Sequence, residues 1–196
     1  MLLVTYVNTA IDRTHLQYKN TQIMKSLQRT TLFTSLLLLL TMLHHAYGAF
    51  VYNTPWRLHV VFIATPVLLL VLLLQQYYLH TTRYHKMWLA LYALVVLAFP
   101  LTGIGLFEGV YNHLCKNIVW PLSGPGAFYN RLFPAPMYER PDNLVFELTG
   151  LLQAFLFFPL LVYYGRFMKE HWPEGMRHMR GAPHKHDAEL GNKFLF

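Results

Sequence analysis

Four apolar blocks, each roughly twenty residues long and almost free of charge, constrain the fold of this chain more than any other feature. They lie at 32–52, 58–78, 87–106 and 144–164, and Glu147 is their only charged residue. A helix of about twenty apolar residues crosses the hydrocarbon core of a bilayer. Short connections make the first three helices antiparallel neighbours. The sequence therefore predicts an all-α integral membrane protein with an up-down four-transmembrane-helix bundle.

Composition supports the membrane class and excludes several others. Only 13% of the 196 residues are charged and 55% are hydrophobic, whereas a soluble domain carries about 25% charge. The formal net charge of +7 comes from tails and loops, where it indicates topology, so we expect no nucleic-acid partner. A single cysteine, Cys115, excludes an internal disulfide, a CxxC redox motif and a cysteine-built zinc site.

The distribution of Lys and Arg predicts how the chain is arranged across the membrane. Segment 1–30, the connection between the second and third blocks, and a basic, histidine-rich tail at 166–196 are cytoplasmic by this criterion. The transmembrane domain then spans 31–165, and the connection 107–143 lies outside the cytoplasm. We expect an inner membrane or an equivalent membrane that bounds a cytoplasm.

The N-terminus allows two interpretations. Residues 24–48 have the basic start, leucine core and small-residue end of a signal peptide, whose cleavage would leave three spans. The apolar run continues beyond Gly48 through Phe50 and Val51, which favours an uncleaved anchor. Residues 1–23 carry no clear pattern and can also result from an upstream start codon.

The connection between the third and fourth spans has a pattern of its own. Apolar residues from Phe107 to Val119 recur at helical spacing and predict an amphipathic helix on the outer membrane surface. Pro121 is expected to end this helix, and the Pro/Gly-rich segment that follows predicts a loop over the bundle.

Histidine and glutamate residues converge on the predicted outer ends of the spans. Ionisable groups at membrane depth are costly and usually face a partner, a cavity or a cofactor. His44 and His45 lie inside the first span and His59 begins the second. As metal ligands we predict His44, His45, His59, His113 and Glu147, and as catalytic acid/base groups Glu108, His113 and Glu147.

The residue types suggest a transition metal, although no ligand motif has diagnostic spacing. Imidazole nitrogens and carboxylate oxygens suit iron, copper or zinc. Haem ranks below a single ion, because no second histidine pair lies inside the spans on the cytoplasmic side. His59 and His113 can equally bond water or headgroups at the interface, and Glu147 can form a buried ion pair.

Three functions follow from this pattern. The first is a metal-dependent or acid/base enzyme acting on a lipid-soluble substrate. The second is a haem- or metal-binding redox subunit. The third is a non-catalytic accessory or assembly subunit. The expected partners are the lipid bilayer, a lipid-soluble small molecule, and either further copies of the chain or a larger membrane complex.

Overall fold

The computed structural model describes residues 2–135 and 137–171, with side chains from Met24 onward. The chain is built from helices in the order α1 (Leu2–Val51), a 3₁₀ turn (Pro55–Arg57), α2 (Leu58–His80), α3 (His85–Val96), a π-helix (Leu97–Cys115), α4 (Lys116–Ser123), α5 (Ala127–Leu132) and α6 (Leu144–His171). The predicted tail lies outside the described residues from 172 onward.

The all-α membrane bundle predicted from the sequence is confirmed. Four helices are long and apolar enough to cross a membrane: Met24–Val51, Pro55–His80, His85–Ser123 and Leu144–His171. Large apolar side chains are exposed around their periphery, among them Leu43, Phe50, Phe62, Leu122 and Phe155. Such a surface suits lipid, where a soluble protein would bury these groups.

The third span is longer than predicted and differs in geometry. The separate surface helix that we expected from Phe107 onward is instead a continuation of the third span, which stays helical to Ser123. The π-helix begins three residues before Pro100, which has no backbone N–H and whose ring displaces the carbonyl of the preceding turn. Thr102 donates its hydroxyl to the Leu97 carbonyl, five residues back, at 2.8 Å.

Helix α6 is the centre of the bundle and packs against α1 and the π-helix. It runs antiparallel to α1, so that Thr149 lies level with His44 while Glu170 lies level with Ser26. Buried apolar residues from the spans fill the core, including Leu37, Val71, Tyr92, Leu101 and Leu160.

Glycine lets the π-helix and α6 approach closely. A Cβ at Gly109 would come within 2.7 Å of the Ala154 backbone nitrogen, and one at Gly105 would overlap the Phe157 ring. Small residues at spacing G-x-x-x-G are a common device for close packing of membrane helices. This contact sets the position of Glu108, the neighbour of Gly109, along the axis of α6.

Candidate functional site

A polar cluster is buried at the end of the bundle where α1 ends and α6 begins, which we call the site end. Its members come from α1, the π-helix, α4 and α6. Counted over all atoms of the residue, backbone included, each is at most 9% exposed: His44, His45, Glu108, His113, Lys116 and Glu147. The structure thus brings together the predicted residues His44, His45, Glu108, His113 and Glu147. Because ionisable groups are costly to bury among membrane helices, this cluster is the candidate functional site.

The π-helix is the reason that Glu108 and His113 reach the same cluster. In an α-helix, residues five apart lie about 140° apart around the axis. Hydrogen bonds from residue i to i+5 bring such residues to one face. The buried positions of this helix recur every four residues, as the pairs 100/101, 104/105 and 108/109, and His113 follows Glu108 after five. π-Helical turns are frequent at functional sites.

The hydrogen bonds of His44 determine which of its ring nitrogens carries the proton. Nδ1 lies 2.8 Å from the Thr149 hydroxyl oxygen. That hydroxyl donates its only hydrogen to the backbone carbonyls of Val145 and Phe146, at 2.9 and 3.0 Å. It therefore accepts from His44, whose Nδ1 is protonated. The Nε2 of His44 keeps a free lone pair and points toward Glu108 at 3.8 Å.

His113 is held in the same way by a carboxylate. Its Nδ1 lies 3.2 Å from Glu147 Oε2, and an ionised carboxylate only accepts. Nδ1 is therefore the protonated nitrogen, and Nε2 is buried without a hydrogen-bond partner. Gly150 makes this placement possible, because a Cβ there would overlap the imidazole ring.

Glu108 differs in its partners from Glu147, the other buried acid among the described residues. His45 Nε2 donates to Glu108 Oε1 at 2.6 Å, and the ion pairs found for Glu108 among the described residues involve histidines alone. Glu147, by contrast, pairs with Lys116 Nζ at 2.8 Å. The cluster therefore contains one carboxylate without a lysine or arginine partner.

Lys116 and Asn117 complete the surroundings of Glu147, and sequence reasoning missed both. Lys116 is 1% exposed and also donates to the Glu139 carbonyl at 3.1 Å. Asn117 donates to Glu147 Oε2 and to the His113 carbonyl. A sequence signal for Lys116 does exist. If the helix is continued past residue 115, Lys116 lies three residues after His113 and therefore on the same helical face.

A short segment, 138–143, covers the site end. The Glu139 carboxylate accepts from Arg57 Nη2 at 2.8 Å, and Asn143 caps α6 by accepting from the Phe146 N–H at 3.0 Å. Outside the spans, burial together with a hydrogen bond to Asp142 raises the pKa of the Tyr52 hydroxyl, which therefore stays protonated at neutral pH. These contacts tie the covering segment to α1 and to the 3₁₀ turn.

The structure does not bring His59 to the cluster. Its side chain is exposed, its Nδ1 bonds the Trp56 carbonyl, and its ring stacks on the Trp56 indole. The 3₁₀ turn before α2 directs it along the bundle surface. His59 is therefore left out of the candidate site, and it provides a natural control.

Three side chains of the cluster form a group that could hold a metal ion after a small inward movement of the ligand atoms. One atom each from His44, Glu108 and His113 lie within 4.8 Å of one another. Nitrogen and oxygen ligands around zinc lie about 2.0–2.2 Å from the metal. The two hydrogen bonds described above leave Nε2 unprotonated in both histidines, as metal ligation requires.

The fold and the site together define a four-span membrane protein with a buried histidine–carboxylate cluster. Comparison of the chain with protein-family models, with curated proteins and with solved structures found no match.

Proposed function

We propose that this protein is a metal-dependent membrane enzyme acting on a lipid-soluble substrate, with the ion held by His44, Glu108 and His113. The observation that carries the proposal is the pairing of two unprotonated Nε2 atoms with one carboxylate. Two histidines and one carboxylate form the ligand set of catalytic zinc sites and of non-haem iron sites. Both leave coordination positions open for water or substrate.

The charge of the cluster supports a cation. The pairs Lys116–Glu147 and Arg57–Glu139 are each neutral. An ionised Glu108 would be a buried negative charge without a lysine or arginine partner, which is costly in an apolar environment unless a positive charge compensates it. A divalent ion beside Oε1 would supply that compensation.

The partners of the ligands support the same assignment. Metal-binding histidines usually donate their second ring N–H to a carboxylate, a backbone carbonyl or a water, which fixes the ring and the tautomer. A threonine hydroxyl can accept the same hydrogen bond. Glu147 does this for His113, and Thr149 does it for His44. Lys116 in turn fixes the Glu147 carboxylate.

Each group then has a defined role. A bound ion would supply Lewis-acid polarisation of a substrate oxygen or activation of water. His45, bonded to Glu108 Oε1 at 2.6 Å, is the residue that accepts or delivers a proton beside the ion. Its Nδ1 is buried without a partner in the structure.

The exposure of the cluster favours a substrate that arrives through lipid. The His45 and Glu108 side chains are each 11% exposed, whereas His44 and His113 are at most 1% exposed. Leu106 and Phe107, which precede Glu108, are exposed and apolar. The less buried side of the cluster thus belongs to a helix that presents large apolar side chains outward beside Glu108.

Acid/base catalysis without a metal is the second candidate. The short His45–Glu108 hydrogen bond favours it, because a protonated His45 would also compensate the Glu108 charge. Haem ranks below a single ion, since the His44 and His113 rings lie 4.7 Å apart, edge to face, and leave no slot for a porphyrin between them.

The test is metal stoichiometry in the full chain purified in detergent. After removal of metals by a chelator and reloading with Zn²⁺ or Fe²⁺, wild type should bind one ion per chain. His113→Ala should weaken binding by at least about 100-fold, because losing even an orienting partner of a ligand costs about 10–100-fold.

His59→Ala is the matched control, since it removes a histidine of the same end that lies outside the cluster. It should bind metal as wild type does. Equal stoichiometry in wild type and His113→Ala, or no binding in either, would contradict the metal proposal. No binding together with a phenotype lost in His45→Ala would favour acid/base catalysis.

A further inference from the structure

The side chain of Gln153 is the most unusual polar group outside the proposed ligand set. Gln153 is 0% exposed, and neither its amide nitrogen nor its amide oxygen has a hydrogen-bond partner. A buried amide without a hydrogen-bond partner loses its hydration without compensation and destabilises the fold. Nearly all buried side-chain polar atoms in proteins have a partner, so this exception requires an explanation.

The position of Gln153 relates it to the cluster. It lies four residues after Thr149 and three after Gly150, on the same face of α6. Thr149 holds His44, and Gly150 lies against the His113 ring. Side chains on a helix lean toward its N-terminus, and α6 begins at the site end, so a side chain at position 153 extends toward the level of Gly150 and Thr149.

The π-helix meets α6 at the same level. A Cβ at Gly109 would lie 3.0 Å from the backbone carbonyl carbon of Gln153. Glu108 is the residue before Gly109. Gln153 is thus one helical turn along α6 from Thr149, which holds His44, and its backbone lies against the π-helix beside Glu108. His113 Nε2 is unpartnered in the same region.

We propose that Gln153 binds the hydroxyl group of a lipid-soluble alcohol and holds its oxygen at the metal. A hydroxyl both donates and accepts, and it therefore satisfies the amide oxygen and the amide nitrogen of Gln153. A simple carbonyl or ether would leave the amide oxygen unpaired. The inference rests on the proposed function, because the second contact of the hydroxyl is the ion held by His44, Glu108 and His113.

The experiment uses the full chain in detergent, loaded with Co²⁺, whose visible absorption reports changes in coordination. Hexadecan-1-ol should shift the spectrum in a saturable manner, and hexadecane, which lacks the hydroxyl, should leave it unchanged. Gln153→Leu should bind Co²⁺ with unchanged stoichiometry but respond to the alcohol with roughly tenfold lower affinity. Gln76→Leu, which replaces an exposed glutamine of α2, should behave as wild type.

Thermal unfolding without ligand provides the second measurement. Because Leu replaces an amide that has no partner, Gln153→Leu should melt at the same temperature as wild type or higher. A clear decrease would show that Gln153 has a structural partner and would overturn the proposal. A Co²⁺ spectrum that the alcohol leaves unchanged would also overturn it. So would a spectrum that Gln153→Leu alters in the absence of alcohol, because the amide would then hold a water molecule at the metal.

Failure of this inference is distinguishable from failure of the proposed function. If Co²⁺ binds and is lost in His113→Ala, while the alcohol response is absent, the metal centre stands and the role of Gln153 is wrong. If Co²⁺ does not bind wild type, both are wrong.

Discussion

The two ends of the bundle both contain buried polar groups, but they satisfy them differently. The end where α6 finishes near Glu170, which we call the tail end, contains neutral hydrogen-bonded pairs, although Trp88 Nε1 and His171 Nε2 are buried there without a partner. Thr31 and Tyr92 bond each other through their hydroxyls at 2.8 Å, and Tyr164 donates to the Ala93 carbonyl at 3.1 Å. The site end has more hydrogen-bond acceptors than donors. The acceptors are the carboxylate of Glu108 and the Nε2 atoms of His44 and His113, and among the described residues His45 is the one donor that bonds any of them.

His171 shows that a buried histidine alone does not distinguish the two ends. Its Nδ1 donates to the Phe167 carbonyl at 2.8 Å, and its Nε2 has no partner, as in His113. Its ring, however, packs against the aromatic rings of Tyr78 and Phe167. Within the described ranges, only His44, Glu108 and His113 form a group with metal-ligand spacing. Convergence of unpaired acceptors therefore marks the site.

The largest effect is expected from Lys116→Met. This substitution leaves Glu147 buried without its cation, and breaking a buried pair by removing one partner destabilises a protein by about 3–5 kcal/mol. Unfolding of detergent-purified variants by SDS titration measures the loss. Tyr92→Phe at the tail end, which removes one side of a neutral hydroxyl pair, should cost only about 1 kcal/mol.

The double variant Lys116→Met/Glu147→Gln sharpens this comparison. It leaves no unpaired charge, and the amide oxygen of Gln still accepts from His113, so most of the stability should return. Equal losses in Lys116→Met and Tyr92→Phe would show that the two ends do not differ in the way described.

The sequence was sufficient for the membrane fold, because charge-free blocks of helical length have one structural solution in lipid. It also identified five of the cluster residues, since ionisable groups in such blocks stand out. Lys116 was missed because a basic residue beyond residue 106 was assigned to a solvated connection. His59 was included because a span boundary gives depth along the membrane but not direction around the helix. The joint position of Glu108 and His113 depends on a π-helix, which the spacing of apolar residues did not reveal.

Gly150→Ala tests whether the room for His113 is specific to the site end. The added methyl group would overlap the imidazole, and forcing extra volume into a packed contact costs about 1–3 kcal/mol. Metal affinity should fall with stability, since the ring must move. Gly165→Ala on the same helix is the control: nothing lies within 4 Å of a Cβ there, and Ala should stabilise the helix by up to about 1 kcal/mol. Opposite signs for the two variants are expected in thermal unfolding, and a neutral Gly150→Ala would contradict the described packing.

The smallest effect is expected from Thr149→Val, which keeps the shape of the side chain but removes the oxygen that accepts from His44 Nδ1. Loss of one neutral hydrogen bond costs about 1 kcal/mol, so stability should change little. The free ring can then protonate at Nε2, and metal affinity should fall by about 10-fold or more. Thr31→Val, which also removes a hydroxyl partner but at the tail end, should lose similar stability without any change in metal affinity. Calorimetric titration with Zn²⁺ separates the two variants. A Thr149→Val chain that binds Zn²⁺ as tightly as Thr31→Val would show that the tautomer of His44 is not set by Thr149.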